Sequence, residues 1–189
     1  MKNKTNNRDF IKEPSNYRQR GNSRFAPIRF SEKEYSKITQ SLALVCTDAL
    51  IIDRKKQTVF LAKRRAKPAA GQWWYIGGRT FAGETFEESV RRCFERETGL
   101  KLSTSRFKFI NIQNFIFNER QQKPQNLGYH AIGFDFVVEL TQKERARAAS
   151  SLDTAEYKEG AGLKEFSRQD LIKMRVHPAI LESYDRVFK

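Results

Sequence analysis

The fold of this chain is decided by residues 77–100, which read GGRTFAGETFEESVRRCFERETGL. Thr85 and Glu88 have the spacing of a capping box, in which a hydroxyl and a carboxylate satisfy the first free amides of a helix. Gly99 supplies the left-handed residue that commonly ends one. Because apolar side chains recur at helical spacing between these signals, the stretch predicts a glycine-rich loop followed by an amphipathic helix.

Strand-like patterns flank this helix on both sides. Apolar runs predict strands at residues 42–52, 58–63, 73–76, 107–117, 129–140 and 163–166. Capping signals predict a helix from Ser31 to about Thr39 and one from Ser167 through Met174, and Pro178 begins a last helix that runs to Val187. Residues 141–162 are charged and poorly periodic, which favours a loop with some helical content. The order predicts an α/β/α sandwich around a mixed β-sheet.

Length and charge predict one domain with a basic extension. A chain of 189 residues suits a single core, and its formal net charge is +14. We expect residues 1–30 to form a flexible basic arm and 31–189 the domain, since the first thirty residues hold eight Lys or Arg and few aliphatic side chains. The arm suits a solvated extension better than an RNA or membrane contact.

The remaining composition excludes several classes of protein. No run approaches eighteen apolar residues and the N-terminus has no apolar signal segment, so we expect a cytoplasmic protein without a membrane span. Cys46 and Cys93 are the only cysteines and lack metal-type spacing, which is typical of small buried thiols.

The loop and helix at 77–100 resemble the signature of the Nudix hydrolase superfamily. That signature reads G-x5-E-x7-R-E-U-x-E-E-x-G-U, where U is aliphatic. Seven positions match in register: Gly78, Glu84, Arg92, Phe94, Glu97, Gly99 and Leu100. The resemblance implies a Nudix-type α/β/α sandwich that binds a nucleoside diphosphate compound.

Two glutamates of the signature are replaced, by Cys93 and Arg96. In ordinary members these carboxylates gather several divalent cations, which favour clustered oxygen ligands. A thiol and a permanently charged guanidinium disfavour such a cluster. The resemblance leaves Glu97 and the carbonyl of Gly77 to hold a single Mg²⁺, with Mn²⁺ as an alternative.

A narrower resemblance, over about residues 30–185, is to the GDP-mannose mannosyl hydrolase branch. That branch lacks the same two glutamates and attacks the anomeric carbon of the sugar instead of phosphorus. Its K-R-x3-P-x2-G-x-W-x3-G-G-R stretch is similar to residues 63–79 here, and its members form dimers through the N-terminal helix. The resemblance therefore implies a nucleoside diphosphate sugar as substrate and a possible homodimer.

The resemblance also implies roles for individual side chains. Arg64 and Arg79 are expected to bind the diphosphate, since guanidinium groups match phosphate oxygens. Asp48 is expected to face the sugar as a catalytic residue, and Tyr129 to bind substrate. Arg92 and Glu84 are expected to hold the loop and helix together behind the site.

The chain departs from this branch at its Gln-His pair, where Gln binds metal and His is the general base. The corresponding residues 155–162 contain no histidine. Glu159 is the candidate to replace the metal-binding Gln, and Glu156 or Glu159 the candidate base. His177 is predicted to cap the last helix and His130 to lie within a strand.

Three functions remain open from the sequence. The first is Mg²⁺-dependent hydrolysis of a GDP-mannose-like sugar nucleotide at the anomeric carbon. The second is a catalytically impaired Nudix domain that binds nucleotide, or RNA through the basic arm. The third is ordinary pyrophosphatase chemistry, which Cys93 and Arg96 disfavour.

Overall fold

The computed structural model of the chain describes residues 13–17, 25–26 and 28–189. Most of the predicted basic arm, residues 1–12, 18–24 and 27, lies outside the described residues. The division into an arm and a domain at residue 30 therefore stays a prediction.

The described strands form one seven-stranded mixed sheet with the order β3-β2-β1-β6-β5, in which β4 also pairs with β1 and β7 with β2. β1 and β6 are parallel, and the other pairs are antiparallel. The strands are β1 (Leu44–Asp53), β2 (Thr58–Lys63), β3 (Trp73–Trp74), β4 (Ile76–Arg79), β5 (Lys108–Phe117), β6 (Tyr129–Glu139) and β7 (Leu163–Phe166).

Five α-helices and a 3-10 turn (Thr104–Arg106) complete the described fold: α1 (Glu32–Ser41), α2 (Phe86–Thr98), α3 (Gln142–Ser150), α4 (Arg168–Lys173) and α5 (Pro178–Phe188). The predicted capping boxes at Ser31, Thr85 and Ser167 are confirmed, with both reciprocal bonds present. α3 is a helix where the sequence favoured a loop. A fourth capping box at Thr141 starts it, but only Ala148 of the helix is buried, so the apolar pattern is weak.

The sheet is packed on both faces, which confirms the predicted sandwich. Leu50 and Ile52 of β1 belong to a core shared with α4 and α5, whereas Ala49 and Ile51 belong to a core shared with α2 and α3. A strand buried on both faces needs a nearly continuous apolar run, and β1 has one from residue 49 to 52.

α1 is docked on the chain by a fully buried arginine. The Arg120 guanidinium donates to the Ser36 carbonyl at 3.0 Å and to the Thr39 hydroxyl at 2.9 Å. This fixes the loop after β5 against the helix. The predicted homodimer through α1 stays a prediction.

None of the helices in the described ranges is both long and apolar enough to cross a membrane.

Candidate functional site

A cavity of about 190 Å³ opens on the face of the sheet beside β1 and β4. Six charged side chains and a wall of aromatic rings line it. The charged groups are Asp48, Arg64, Lys67, Arg79, Arg96 and Glu156, and the rings include those of Tyr35, Trp74, Phe115, Phe117 and Tyr129. Its cations outnumber its acids, so the cavity suits an anionic ligand with an apolar part.

Asp48 lies in the cavity wall between two glycines of neighbouring strands. A Cβ built on Gly77 would come within 2.5 Å of one carboxylate oxygen of Asp48, and a Cβ on Gly133 within 3.3 Å of the other. The glycines therefore make room for this acid. They also let β4 and β6 approach β1 closely.

Burial raises the pKa of Asp48 to about 7, because loss of water penalises the carboxylate. The charge of Arg64 opposes this shift and that of Glu97 adds to it. A carboxyl group with a pKa near neutrality can accept or release a proton at physiological pH.

Arg64 and Glu156 form an ion pair at the edge of the cavity. An Arg64 Nη lies 3.3 Å from a carboxylate oxygen of Glu156, and the Arg64 side chain is only 14% exposed. Next to them, Lys67 pairs with Glu119 at 2.8 Å. Arg64, which was predicted to bind phosphate, therefore lines the cavity. Its guanidinium is already paired with the carboxylate of Glu156.

Arg79 also lines the cavity, and its charge lies over an aromatic ring. Its guanidinium carbon is 4.2 Å from the centre of the Tyr35 ring, and no carboxylate in the described part of the chain pairs with it. Tyr129 follows on the same wall, with its hydroxyl 3.8 Å from the sulfur of Cys46. Arg79 is thus the cation most available to a ligand.

Glu97, predicted as the metal ligand, is 1% exposed and surrounded by donors. One carboxylate oxygen accepts the Gly77 N–H at 3.1 Å and the Tyr157 hydroxyl. The other accepts a short bond from the Arg96 guanidinium. Burial raises the pKa of Glu97, while the bond from Tyr157 and the charge of Arg96 lower it.

These contacts do not fit a magnesium site. A metal bound to Glu97 would have to displace the hydroxyl or the guanidinium that now occupies each oxygen. Across residues 13–17, 25–26 and 28–189, no three acidic, histidine or cysteine side chains are grouped to share a metal ion. The predicted ligand set of Gly77, Glu97 and Glu159 is therefore not assembled.

Glu159, predicted as a metal ligand and catalytic residue, is not among the residues that line this cavity. A β-bridge between Arg64 and Tyr157 fixes the segment around Tyr157 next to the end of β2, and Glu156 lines the cavity. The chain then turns at Gly160, whose φ is +72°, and Glu159 is exposed in that turn. Glu156 therefore occupies the place expected for Glu159.

The Arg92–Glu84 contact expected from the sequence is present. One Arg92 Nη donates to Glu84 at 2.8 Å and to the carbonyl of Arg79 at 2.8 Å, and Nε makes a second, short bond to Glu84. The pair ties the loop before α2 to the strand that carries Arg79. The arrangement positions Arg79 without reaching the cavity itself.

Both histidines are where the sequence placed them. His177 caps α5 by accepting the Ala179 N–H at 3.3 Å, and His130 lies in β6 beside Asn114. Neither lines the cavity.

Three residues of the site were missed by the sequence: Lys67, Tyr157 and Arg96 as a cation. Arg96 could have been found, because its register in the signature puts it where a metal-binding acid normally stands. Tyr157 carried no such signal, since it meets Glu97 across sixty positions of sequence.

The sequence matches a known family and a curated protein. The NUDIX domain family model matches residues 44–182. The low-salt glycan biosynthesis protein Agl8 of Haloferax volcanii is 29% identical over 85 residues, which is 45% of this chain and 53% of that protein. The matched stretch therefore spans about half the length of this curated relative.

Solved structures share the fold. The MutT NUDIX hydrolase of Burkholderia pseudomallei is 21% identical, with a TM-score of 0.59 over 78% of this chain and 99% of that one. The NUDIX domain of Shewanella oneidensis NrtR, complexed with ADP ribose, is 16% identical, with a TM-score of 0.52 over 85% and 100%. Since the family match covers all seven strands and helices α2 to α4, this chain belongs to the Nudix hydrolase family.

Proposed function

We propose that the cavity binds a nucleoside diphosphate sugar of the GDP-mannose type and hydrolyses it at the anomeric carbon, releasing nucleoside diphosphate and free sugar. The observation that carries the proposal is Asp48, an acid with a pKa of about 7 in a cavity whose other charges are mainly cationic. Such an acid suits general-base chemistry near neutral pH.

The cations suit the leaving group. When a glycosidic bond to a diphosphate breaks, the electron pair stays on the phosphate oxygen and the sugar gains positive character. Arg79, which has no carboxylate partner among the described residues, and Arg64 would bind the phosphate oxygens. Their charge favours departure of the diphosphate.

Asp48 would serve the other half of the reaction. Water attacks the anomeric carbon, the bond from that carbon to the phosphate oxygen breaks, and the water proton passes to the Asp48 carboxylate. Asp48 suits this step since it lines the cavity and no described group donates a hydrogen bond to its carboxylate.

The aromatic wall suits the organic part of the ligand. Trp74, Phe115 and Phe117 pack on one another with ring centres 5.7 to 6.0 Å apart and line the cavity. Tyr129 adds a hydroxyl for sugar recognition. A sugar-containing ligand is also supported by two similar proteins: NrtR was solved with ADP ribose, and Agl8 is named for glycan biosynthesis.

Hydrolysis in ¹⁸O-labelled water tests the proposal. With GDP-mannose, attack at carbon puts the label in mannose and leaves GDP unlabelled. Label in the phosphate products instead means the ordinary phosphorus chemistry of a pyrophosphatase, and contradicts the proposal. GDP-glucose and ADP-ribose, tested in parallel, measure which base and sugar the cavity accepts.

A second candidate function is nucleotide binding without turnover. It is favoured by Glu156, which is held by Arg64 rather than free to act as a base, and by the lack of a histidine in the lining of the described cavity. Measurable GDP affinity together with no release of mannose would support this function over hydrolysis.

A further inference from the structure

We infer that Arg96 takes the place of the metal ion: its guanidinium, anchored on Glu97, is a fixed cation for the diphosphate, and ligand binding needs no divalent metal. This rests on the proposed function only in taking a diphosphate as the ligand. Nudix hydrolases generally use Mg²⁺ or Mn²⁺. The residues of this chain fit a bound guanidinium better than a metal ion at this position.

Glu97 already has a cation bound to its carboxylate. Arg96 donates to one of its oxygens, and Gly77 and Tyr157 donate to the other. A guanidinium cannot lose its proton in a protein, so this charge is permanent. A metal ion would have to displace Arg96 and would then meet its repulsion.

Among the described residues, no other side chain replaces the missing metal ligands of the signature. Cys93 stands where the signature has a glutamate, but its thiol is buried and lies near the Gly78 backbone. Burial raises the pKa of this thiol, so it stays protonated, and a protonated thiol is a poor ligand for a hard cation. Of the two acids in the cavity lining, Glu156 is paired with Arg64, and Asp48 is not grouped with two further acidic, histidine or cysteine side chains among the described residues.

Arg96 lies where it can contact a ligand bound in the cavity. It lines the cavity and its side chain is 44% exposed, in contrast to the 1% of Glu97 behind it. One Nη is used by Glu97, and the other N–H groups of the guanidinium are available to phosphate oxygens. A guanidinium whose rotamer is already fixed loses less entropy when it binds.

The glycine at position 78 supports this placement. A Cβ built on Gly78 would lie 2.9 Å from an Nη of Arg96 and 3.3 Å from the sulfur of Cys93. The guanidinium therefore packs directly on the backbone of β4 at Gly78, the residue next to Arg79. Arg64, Arg79 and Arg96 together line one cavity, which gives the diphosphate three guanidinium groups.

Calorimetric titration of the full chain with GDP and with inorganic pyrophosphate, in EDTA and in Mg²⁺, tests the inference. We expect wild-type dissociation constants in the two buffers to agree within about threefold. Arg96→Ala should weaken binding in EDTA by about tenfold or more, the loss of one charge-assisted contact. Arg91→Ala is the matched control, since Arg91 is on the same helix and its ion pair among the described residues is with Glu95, away from the cavity lining.

A restoring variant sharpens the test. Cys93→Glu combined with Arg96→Glu supplies the signature's acids, and its binding of GDP should become dependent on Mg²⁺. If Arg96→Ala does not fold, Arg96→Lys keeps a charge without the planar fork and should still weaken binding.

Two results would overturn the inference: wild-type binding that requires Mg²⁺, or binding by Arg96→Ala in EDTA that equals wild type. Failure of the proposed function has a different signature. Metal-free binding of GDP without ¹⁸O incorporation into mannose contradicts the hydrolysis and leaves Arg96 supported. Absence of binding in both buffers contradicts both.

Discussion

The Tyr157 hydroxyl donates a hydrogen bond to the carboxylate of Glu97, sixty residues earlier in the chain. Both side chains are 1% exposed, and the same hydroxyl also contacts the carbonyl of Tyr75 at 3.0 Å. The contact joins the end of α2 to the segment after α3. It holds the acid that anchors Arg96.

Tyr157→Phe should destabilise the fold by about 1 to 3 kcal/mol, because it leaves a buried carboxylate short of a donor. The measurement is the free energy of unfolding in urea. Tyr17→Phe is the control, because Tyr17 is 92% exposed and its loss of a hydroxyl should change nothing. Equal stabilities for the Tyr157 variant and wild type would contradict the assigned role of the bond.

Asp48→Asn should reduce turnover of GDP-mannose by about 10²- to 10⁴-fold, the usual contribution of a positioned base. In the wild type, kcat/KM should rise with pH and level off above about 7, because burial raises the pKa of Asp48 to about 7 and the ionised form accepts the proton. Asp185→Asn, on a surface ion pair with Arg168, should keep the wild-type profile. A pH profile flat across neutrality would contradict Asp48 as the base.

The same acid should affect stability with pH. Because the pKa of Asp48 is raised on folding, the native protein binds more protons than the unfolded chain between about pH 4 and 7. Its contribution to stability is present below pH 4 and is lost as the pH rises through 7. The free energy of unfolding of Asp48→Asn, measured in urea, should therefore rise relative to that of the wild type by about 2 to 3 kcal/mol between pH 5 and pH 8. A constant difference across that range would contradict the raised pKa.

Arg79→Ala should weaken GDP binding by about 10- to 100-fold, the loss of one charge-assisted hydrogen-bonding group. Its unfolding free energy should change by less than about 0.5 kcal/mol, since no described carboxylate depends on Arg79. Calorimetry and urea unfolding measure the two quantities. Arg54→Ala, whose ion pair with Glu139 is more than half exposed, is the control for loss of a surface charge.

Glu84 and Arg92 should prove energetically coupled. Glu84→Gln and Arg92→Ala each remove one side of the bidentate pair, and a double-mutant cycle should give a coupling of about 0.5 to 3 kcal/mol. Arg92→Ala should also weaken GDP binding, because Arg92 holds the carbonyl of Arg79. The neighbouring exposed pair Arg91 and Glu95 is the comparison, with an expected coupling of about 0.3 to 0.5 kcal/mol. Equal couplings for the two pairs would contradict a positioning role.

Much of the fold could be predicted from the sequence, because it depends on interactions between residues that are close together in the chain. The capping box of Thr85 and the stop at Gly99 bound α2 because both act within a few residues of the chain. The apolar run at residues 42–52 predicted the strand β1 for the same reason. The contact between Arg92 and Glu84 was also within reach, since eight residues of loop and helix separate them.

The sequence by itself determined the family, the sandwich and the set of acids and cations near the signature. Only the tertiary structure decided which of them meet: the guanidinium of Arg96 contacts the carboxylate of Glu97, and Glu156 rather than Glu159 lines the cavity. The placement of Glu156 depends on the bridge between Arg64 and Tyr157 and on the turn at Gly160, and the orientation of Arg96 and Glu97 depends on the packing of α2 against Gly77 and Gly78 of β4. Neither leaves a periodic or short-range pattern in the chain.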